Sequence, residues 1–61
     1  MNANEKEQKL IWAINKARDE NTTKPLLWAE RNGAVKGSNA RRDAYNLAME
    51  GKYDEAIRRL E

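Results

Sequence analysis

The longest apolar run of the sequence is Leu10-Ile11-Trp12-Ala13-Ile14, at residues 10–14. Within and just beyond this run, four apolar residues recur at helical spacing, namely Leu10, Ala13, Ile14 and Ala17. Residues at i, i+3, i+4 and i+7 lie on one face of an α-helix. The pattern therefore predicts an amphipathic first helix whose apolar stripe faces a core.

Trp12 does not belong to this stripe. At about 100° per residue it points some 200° away from Leu10, towards the face that also carries Lys16. Two interpretations follow from this position. Either a second helix covers the indole, or Trp12 is an exposed anchor for a partner.

Capping and breaking residues divide the rest of the chain. Asn4 followed by Glu7 has the character of a capping box at the start of the first helix. Thr23 precedes a second helix with Pro25 in its first turn, Ser38 caps a third, and Gly51 ends it. Residues 33–37 are predicted to form a loop. The predicted helices span residues 5–19, 24–32, 39–50 and 53–60.

These elements predict an all-α fold, a small bundle of three to four helices in a single domain over residues 1–61. A chain of 61 residues buries only about 60% of the surface that its unfolded form exposes. Small domains often compensate with disulfides, metals or self-association. The sequence has no Cys and no His, so we expect no metal site and no cofactor, and we predict that a homodimer completes the bundle.

Basic residues are concentrated in the middle of the chain. Residues 24–42 carry five basic side chains against one acidic, whereas residues 1–23 are neutral and residues 43–61 carry three basic against five acidic. A local excess of positive charge suggests an anionic partner. The alternative is that these side chains are ordinary solvated helix faces and a loop.

The segment 26–45 resembles a helix-turn-helix. Ala29 and Gly33 match the small residue and the turn glycine of that motif, although the turn here is long. The next helix would begin with polar and basic side chains, the types that meet phosphates and base edges in a major groove. This resemblance implies a small nucleic-acid-binding regulator whose candidate contacts are Arg31, Lys36, Ser38, Asn39, Arg41 and Arg42.

Residues 51–57 resemble the turn and second-helix start of a tetratricopeptide repeat, in which Gly-x-Tyr-x-Glu-Ala-Ile is common. About three such repeats are needed to bury a continuous core. A single fragment of some ten residues therefore predicts an ordinary hairpin between the third and fourth helices. In that hairpin Tyr53, Ala56, Ile57 and Leu60 form the apolar edge of the last helix.

Catalytic chemistry is not expected. Acid-base and nucleophilic mechanisms rely mostly on His, Cys or a serine beside a base, and Ser38, the only serine, has a capping role. No apolar run approaches the roughly 20 residues that span a bilayer. The N-terminal residues also lack the layout of a signal peptide. We therefore expect a cytoplasmic protein that is not an enzyme.

The preferred interpretation is a small protein-binding factor, an adaptor or an inhibitor that occupies a surface of a larger protein. Compact chains of this kind are common among the small accessory proteins of bacteria and their phages. Tryptophan is enriched in binding hot spots, and the sequence holds two. Trp28, between Leu27 and Ala29, is expected in the core. The candidate protein-binding residues are Trp12, Lys16, Tyr45 and Tyr53.

Overall fold

The computed structural model describes residues 3–61. It contains four α-helices, and the described residues include no β-strand. The helices are α1 (Ala3–Glu20), α2 (Lys24–Arg31), α3 (Asn39–Met49) and α4 (Tyr53–Leu60). The all-helical prediction is confirmed, and each predicted helix end lies within two residues of the observed one.

Helix α1 supplies the longest apolar stripe of the core. Its four predicted inward residues, Leu10, Ala13, Ile14 and Ala17, are fully buried. The predicted capping box is wrong, because α1 begins at Ala3 and Asn4 therefore lies inside the helix. An N-cap residue must have non-helical backbone angles, and a residue within the helix does not meet that condition.

Three helices end in the same hydrogen-bonding motif. After α3, the amide of Gly51 donates to the carbonyl of Ala48 at 2.9 Å, and the amide of Lys52 donates to the carbonyl of Leu47 at 2.9 Å. This is the Schellman arrangement, which needs a left-handed residue directly after the helix cap. That residue is Gly51 (φ 82°) after α3, Gly33 (φ 82°) after α2 and Asn21 (φ 52°) after α1. The turns between helices are therefore set by local backbone chemistry.

Helix α2 begins at Lys24, as predicted. Thr23 occupies the N-cap position but makes no side-chain cap hydrogen bond. The hydroxyl of Thr22 instead accepts a hydrogen bond from the amide of Lys24 at 3.3 Å. Pro25 lies in the first turn as predicted, where a missing amide proton has no consequence.

The predicted loop before α3 folds into the core. Ala34 and Val35 are buried with the stripe of α1. Ser38 caps α3 as predicted, since its Oγ accepts a hydrogen bond from the amide of Arg41 at 3.2 Å.

Helices α3 and α4 form the predicted hairpin and pack against each other more extensively than any other pair. Ala44 and Ala48 of α3 and Ala56 of α4 are buried. Their small side chains allow the backbones of the two helices to approach closely. A helix as short as α4 is not stable alone in water, so it depends on this packing against α3. Ala40 and Leu47 of α3 are half-buried.

No helix among the described residues is long and apolar enough to span a bilayer.

Candidate protein-binding surface

Trp12 projects from the side of α1 opposite the core. Its side chain is 52% exposed, although the neighbouring Ala13 and Ile14 are fully buried. The exposure of Trp12 differs from that of its neighbours because consecutive residues of a helix point about 100° apart. The structure thus places Trp12 off the apolar stripe, as its spacing predicted.

Trp28 is also exposed, and the prediction that it belongs to the core is wrong. It is 45% exposed and its neighbour Leu27 is 37% exposed, whereas Leu26 and Ala29 are fully buried. Leu26 and Ala29 are three residues apart and share one face of α2, while Trp28 points about 200° away from Leu26. The prediction relied on apolar neighbours in sequence, but the helical period decides which of them faces inward.

The two indoles contact each other across the α1–α2 junction. Their ring centroids are 5.4 Å apart and the ring planes are inclined at 66°, an edge-to-face arrangement. Such pairs are worth about 0.5–1.5 kcal/mol beyond the area that they bury. We call Trp12, Leu27 and Trp28 the tryptophan surface.

Lys9 also fixes this surface. Its ammonium nitrogen lies 5.4 Å from the centroid of the Trp28 ring, within the range of a cation–π interaction. Trp28 therefore contacts both a second ring and a cation. Side chains that already contact one another would lose little rotamer freedom if a partner covered them.

Lys16 lies one helical turn after Trp12 on the exposed face of α1. Its ammonium nitrogen forms an ion pair with a carboxylate oxygen of Glu20 at 2.9 Å. The hydrogen bond to Glu20, followed by the charge of that carboxylate, raises the pKa of Lys16 above its ordinary value of 10.5. Lys16 is therefore a charged rim residue next to the indole.

Tyr45 and Tyr53 lie elsewhere in the fold. Both are half-buried and pack against the core cluster from α3 and α4. The four predicted protein-binding residues are thus divided, with Trp12 and Lys16 on an exposed face of α1 and the two tyrosines mainly in packing roles. Sequence reasoning missed Leu27 and Trp28, although the helical period of α2 carried the signal.

Among the predicted nucleic-acid contacts, Arg41 departs most from expectation. It is only 7% exposed. Its Nε donates a hydrogen bond to the carbonyl of Ala34 at 2.8 Å, and one of its terminal nitrogens donates to the carbonyl of Lys36 at 2.9 Å. A guanidinium that is buried and bonded in this way supports the loop and is not presented to a phosphate. The prediction of an exposed Arg41 is wrong.

The other predicted nucleic-acid contacts remain near the surface. Ser38 is half-buried and occupied by capping, and the exposed members of the set are Arg31, Lys36, Asn39 and Arg42. Residues 32–38 separate α2 from α3, which is longer than the three- or four-residue turn of a helix-turn-helix. Of the helix pairs that touch, α2 and α3 pack least extensively. The segment 26–45 therefore lacks the packing typical of that motif.

Comparison with known proteins adds no family to this description. No protein-family model matches the chain, and no curated protein and no solved structure shows significant similarity to it. Within residues 3–61, no group of side chains is arranged to hold a metal ion.

Proposed function

We propose that this protein is a small, non-enzymatic protein-binding factor, an adaptor or an inhibitor that occupies a surface of a larger protein. The observation that carries the proposal is the exposed edge-to-face pair of Trp12 and Trp28. Tryptophan is highly buried on average, so two adjacent indoles that are each about half exposed require an explanation. Binding hot spots are enriched in this residue type because it offers a large rigid area.

The core does not account for the tryptophan surface. The stripes of α1 and α2 that face the core consist of other residues, and these are completely buried. A partner that covers the pair would remove apolar area from water at roughly 25 cal/mol per Å². The surface therefore suits intermolecular contact.

The proposal is tested by affinity capture from lysate with the full chain as bait, with and without nuclease. Trp12→Ala and Trp28→Ala should each lose a specific protein partner that the parent chain retains after nuclease treatment. Met49→Ala is the matched control, because Met49 is an apolar residue of α3 that is 38% exposed and lies outside the tryptophan surface. A partner that disappears with nuclease would favour the nucleic-acid-binding alternative and its exposed residues Arg31, Lys36, Asn39 and Arg42.

Completion as a homodimer, predicted from the small size of the chain, is a separate proposal. Its support is that small domains often gain stability through self-association. Against it stands the accessible surface of 3922 Å², which is close to the roughly 4100 Å² expected of a folded monomer of 7.1 kDa. A standard interface would cover about 800 Å² of each copy, about a fifth of that surface.

Action in the cytoplasm is also part of the proposal, and a cysteine-free sequence agrees with a reducing compartment.

A further inference from the structure

The exposed face of α2 has a regular arrangement of charge around its apolar residues. Lys24, Leu27, Trp28 and Arg31 stand at i, i+3, i+4 and i+7, and all four are exposed. Leu27 and Trp28 are therefore the helical neighbours of both cations. The only acidic residue of α2, Glu30, points about 200° away from Trp28. A cation thus stands at each end of the apolar pair.

Neither cation is neutralised within the described part of the chain. Among residues 3–61, ion pairs join Lys16 to Glu20 and Arg59 to Asp43, but none includes Lys24 or Arg31. The exposed face of α2 therefore combines an apolar centre with two unpaired positive ends.

This arrangement disfavours a second copy as the occupant. In a two-fold dimer the same patch meets itself, so the interface would bring together four unpaired cations, two from each chain. It also disfavours a single-stranded nucleic acid, whose bases stack on open aromatic faces. Lys9 lies over the ring of Trp28, and the indole planes are inclined at 66°, so successive bases cannot stack in parallel on the two rings.

We infer that the partner presents an acidic protein segment that carries large apolar side chains, and that this segment docks on α2 beside Trp12. Apolar side chains of the segment cover Leu27 and Trp28, while its carboxylates meet Lys24 and Arg31. Complementary charge at the rim of an apolar contact raises the association rate and fixes the register of the bound chain. The inference rests on the proposed function, since it gives the chemistry of the partner for the same surface.

The test is selection from a random peptide library against the immobilised full chain, followed by affinity measurement on individual peptides. The two tryptophans are the only ones in the sequence, so intrinsic fluorescence reports binding at this surface directly. We expect the selected peptides to be enriched in Asp and Glu together with Leu, Phe or Met. Lys24→Glu and Arg31→Glu should each weaken these peptides about tenfold, and higher salt should weaken them as well.

The matched control is Arg58→Glu. Arg58 is an exposed cation of α4, a helix that does not touch α2 within the described residues, so its reversal makes the same change in net charge elsewhere. It should change affinity less than twofold. Circular dichroism of each variant establishes that the helices are retained, as expected for exposed positions.

The possible outcomes distinguish a failure of the acidic-partner inference from a failure of the proposed protein-binding function. Peptides that need Trp12 and Trp28 but are neutral or basic, or that tolerate both charge reversals, overturn the acidic partner and leave protein binding intact. Fluorescence quenching by a thymidine 20-mer that Trp28→Ala abolishes would instead assign the surface to single-stranded nucleic acid. Selection that yields no tryptophan-dependent peptide overturns the inference, whereas the proposed function fails only if affinity capture also yields no tryptophan-dependent protein.

Discussion

The guanidinium of Arg41 is bonded to the backbone carbonyl of Ala34, seven residues earlier in the chain, at 2.8 Å. A second bond of 2.9 Å to the carbonyl of Lys36 completes the contact. Both carbonyls belong to the segment that turns into the core between α2 and α3. Arg41 therefore satisfies polar backbone groups of a segment that also buries Ala34 and Val35.

Removal of this contact should destabilise the fold. We expect Arg41→Ala to lower the free energy of unfolding by about 2–4 kcal/mol, because two carbonyls would lose charge-assisted donors. Arg41→Lys should recover only part of the loss, since one ammonium lacks the planar fork of a guanidinium. The exposed neighbour Arg42→Ala should cost less than about 0.5 kcal/mol. Urea unfolding followed by circular dichroism measures all three, and equal effects at 41 and 42 would contradict the assigned role.

The two tryptophans should contribute little to stability and much to binding. Trp12→Ala is expected to cost about 1–2 kcal/mol of folding free energy, because it removes both the aromatic pair and the half of the indole that the fold covers. Ile14→Ala, at a fully buried position of the same helix, should cost about 2–5 kcal/mol. Partner binding should weaken by about 2 kcal/mol or more with Trp12→Ala. If Trp12→Ala unfolds the protein as severely as Ile14→Ala, the indole belongs to the core.

A double-mutant cycle measures the indole pair itself. Trp12→Ala, Trp28→Ala and the double variant should give a coupling free energy of about 0.5–1.5 kcal/mol, because the rings are in direct contact. Thermal or urea unfolding provides the values. Met49→Ala combined with Trp12→Ala is the comparison, and we expect those two effects to add. No measurable coupling between Trp12 and Trp28 would show that the indoles do not contact each other in solution.

The left-handed residue after α1 provides a test of the helix ends. Asn21 has φ 52°, and Asn21→Gly should leave stability unchanged or raise it slightly, because glycine adopts this conformation without strain. Asn21→Ala should cost about 1–2 kcal/mol, since a β-carbon is unfavourable there. The matched site is Gly51 (φ 82°), where an added β-carbon meets nothing within 4 Å and any loss on Gly51→Ala is backbone strain alone. Equal stability of Asn21→Gly and Asn21→Ala would refute the assigned turn.

The ion pair between Lys16 and Glu20 should be detectable in an alkaline titration as a raised pKa of Lys16. Because the pKa of Lys16 is raised in the folded protein, its contribution to stability is fully present below the ordinary value of 10.5 and is lost as pH rises through the raised value. Glu20→Gln should return the pKa towards 10.5, as measured by NMR titration of the lysine side chain. An unchanged Lys16 pKa in Glu20→Gln would mean that the pair at 2.9 Å does not persist in solution.

Much of the fold could be predicted because its signals are local. The period of the apolar residues placed α1 with its stripe, and Pro25, Ser38 and Gly51 marked where the other helices begin or end. The capping box at Asn4 failed because a cap needs a particular backbone geometry, and the residue types alone do not ensure it. Within α2, the spacing of Leu26 and Ala29 already indicated that Trp28 points away from the core. The apolar neighbours of Trp28 in sequence nevertheless suggested that it is buried.

The sequence by itself determined the helical class and the face on which Trp12 lies, because helical period and capping act over a few neighbouring residues. Only the tertiary structure decided that Trp28 meets Trp12 across two helices and that Arg41 turns inward. Both depend on how separate segments pack. Trp12 of α1 and Trp28 of α2 contact each other only because the two helices pack through their buried faces. A cation such as the Arg41 guanidinium is buried at low cost only where the folded backbone provides carbonyl groups that accept its hydrogen bonds.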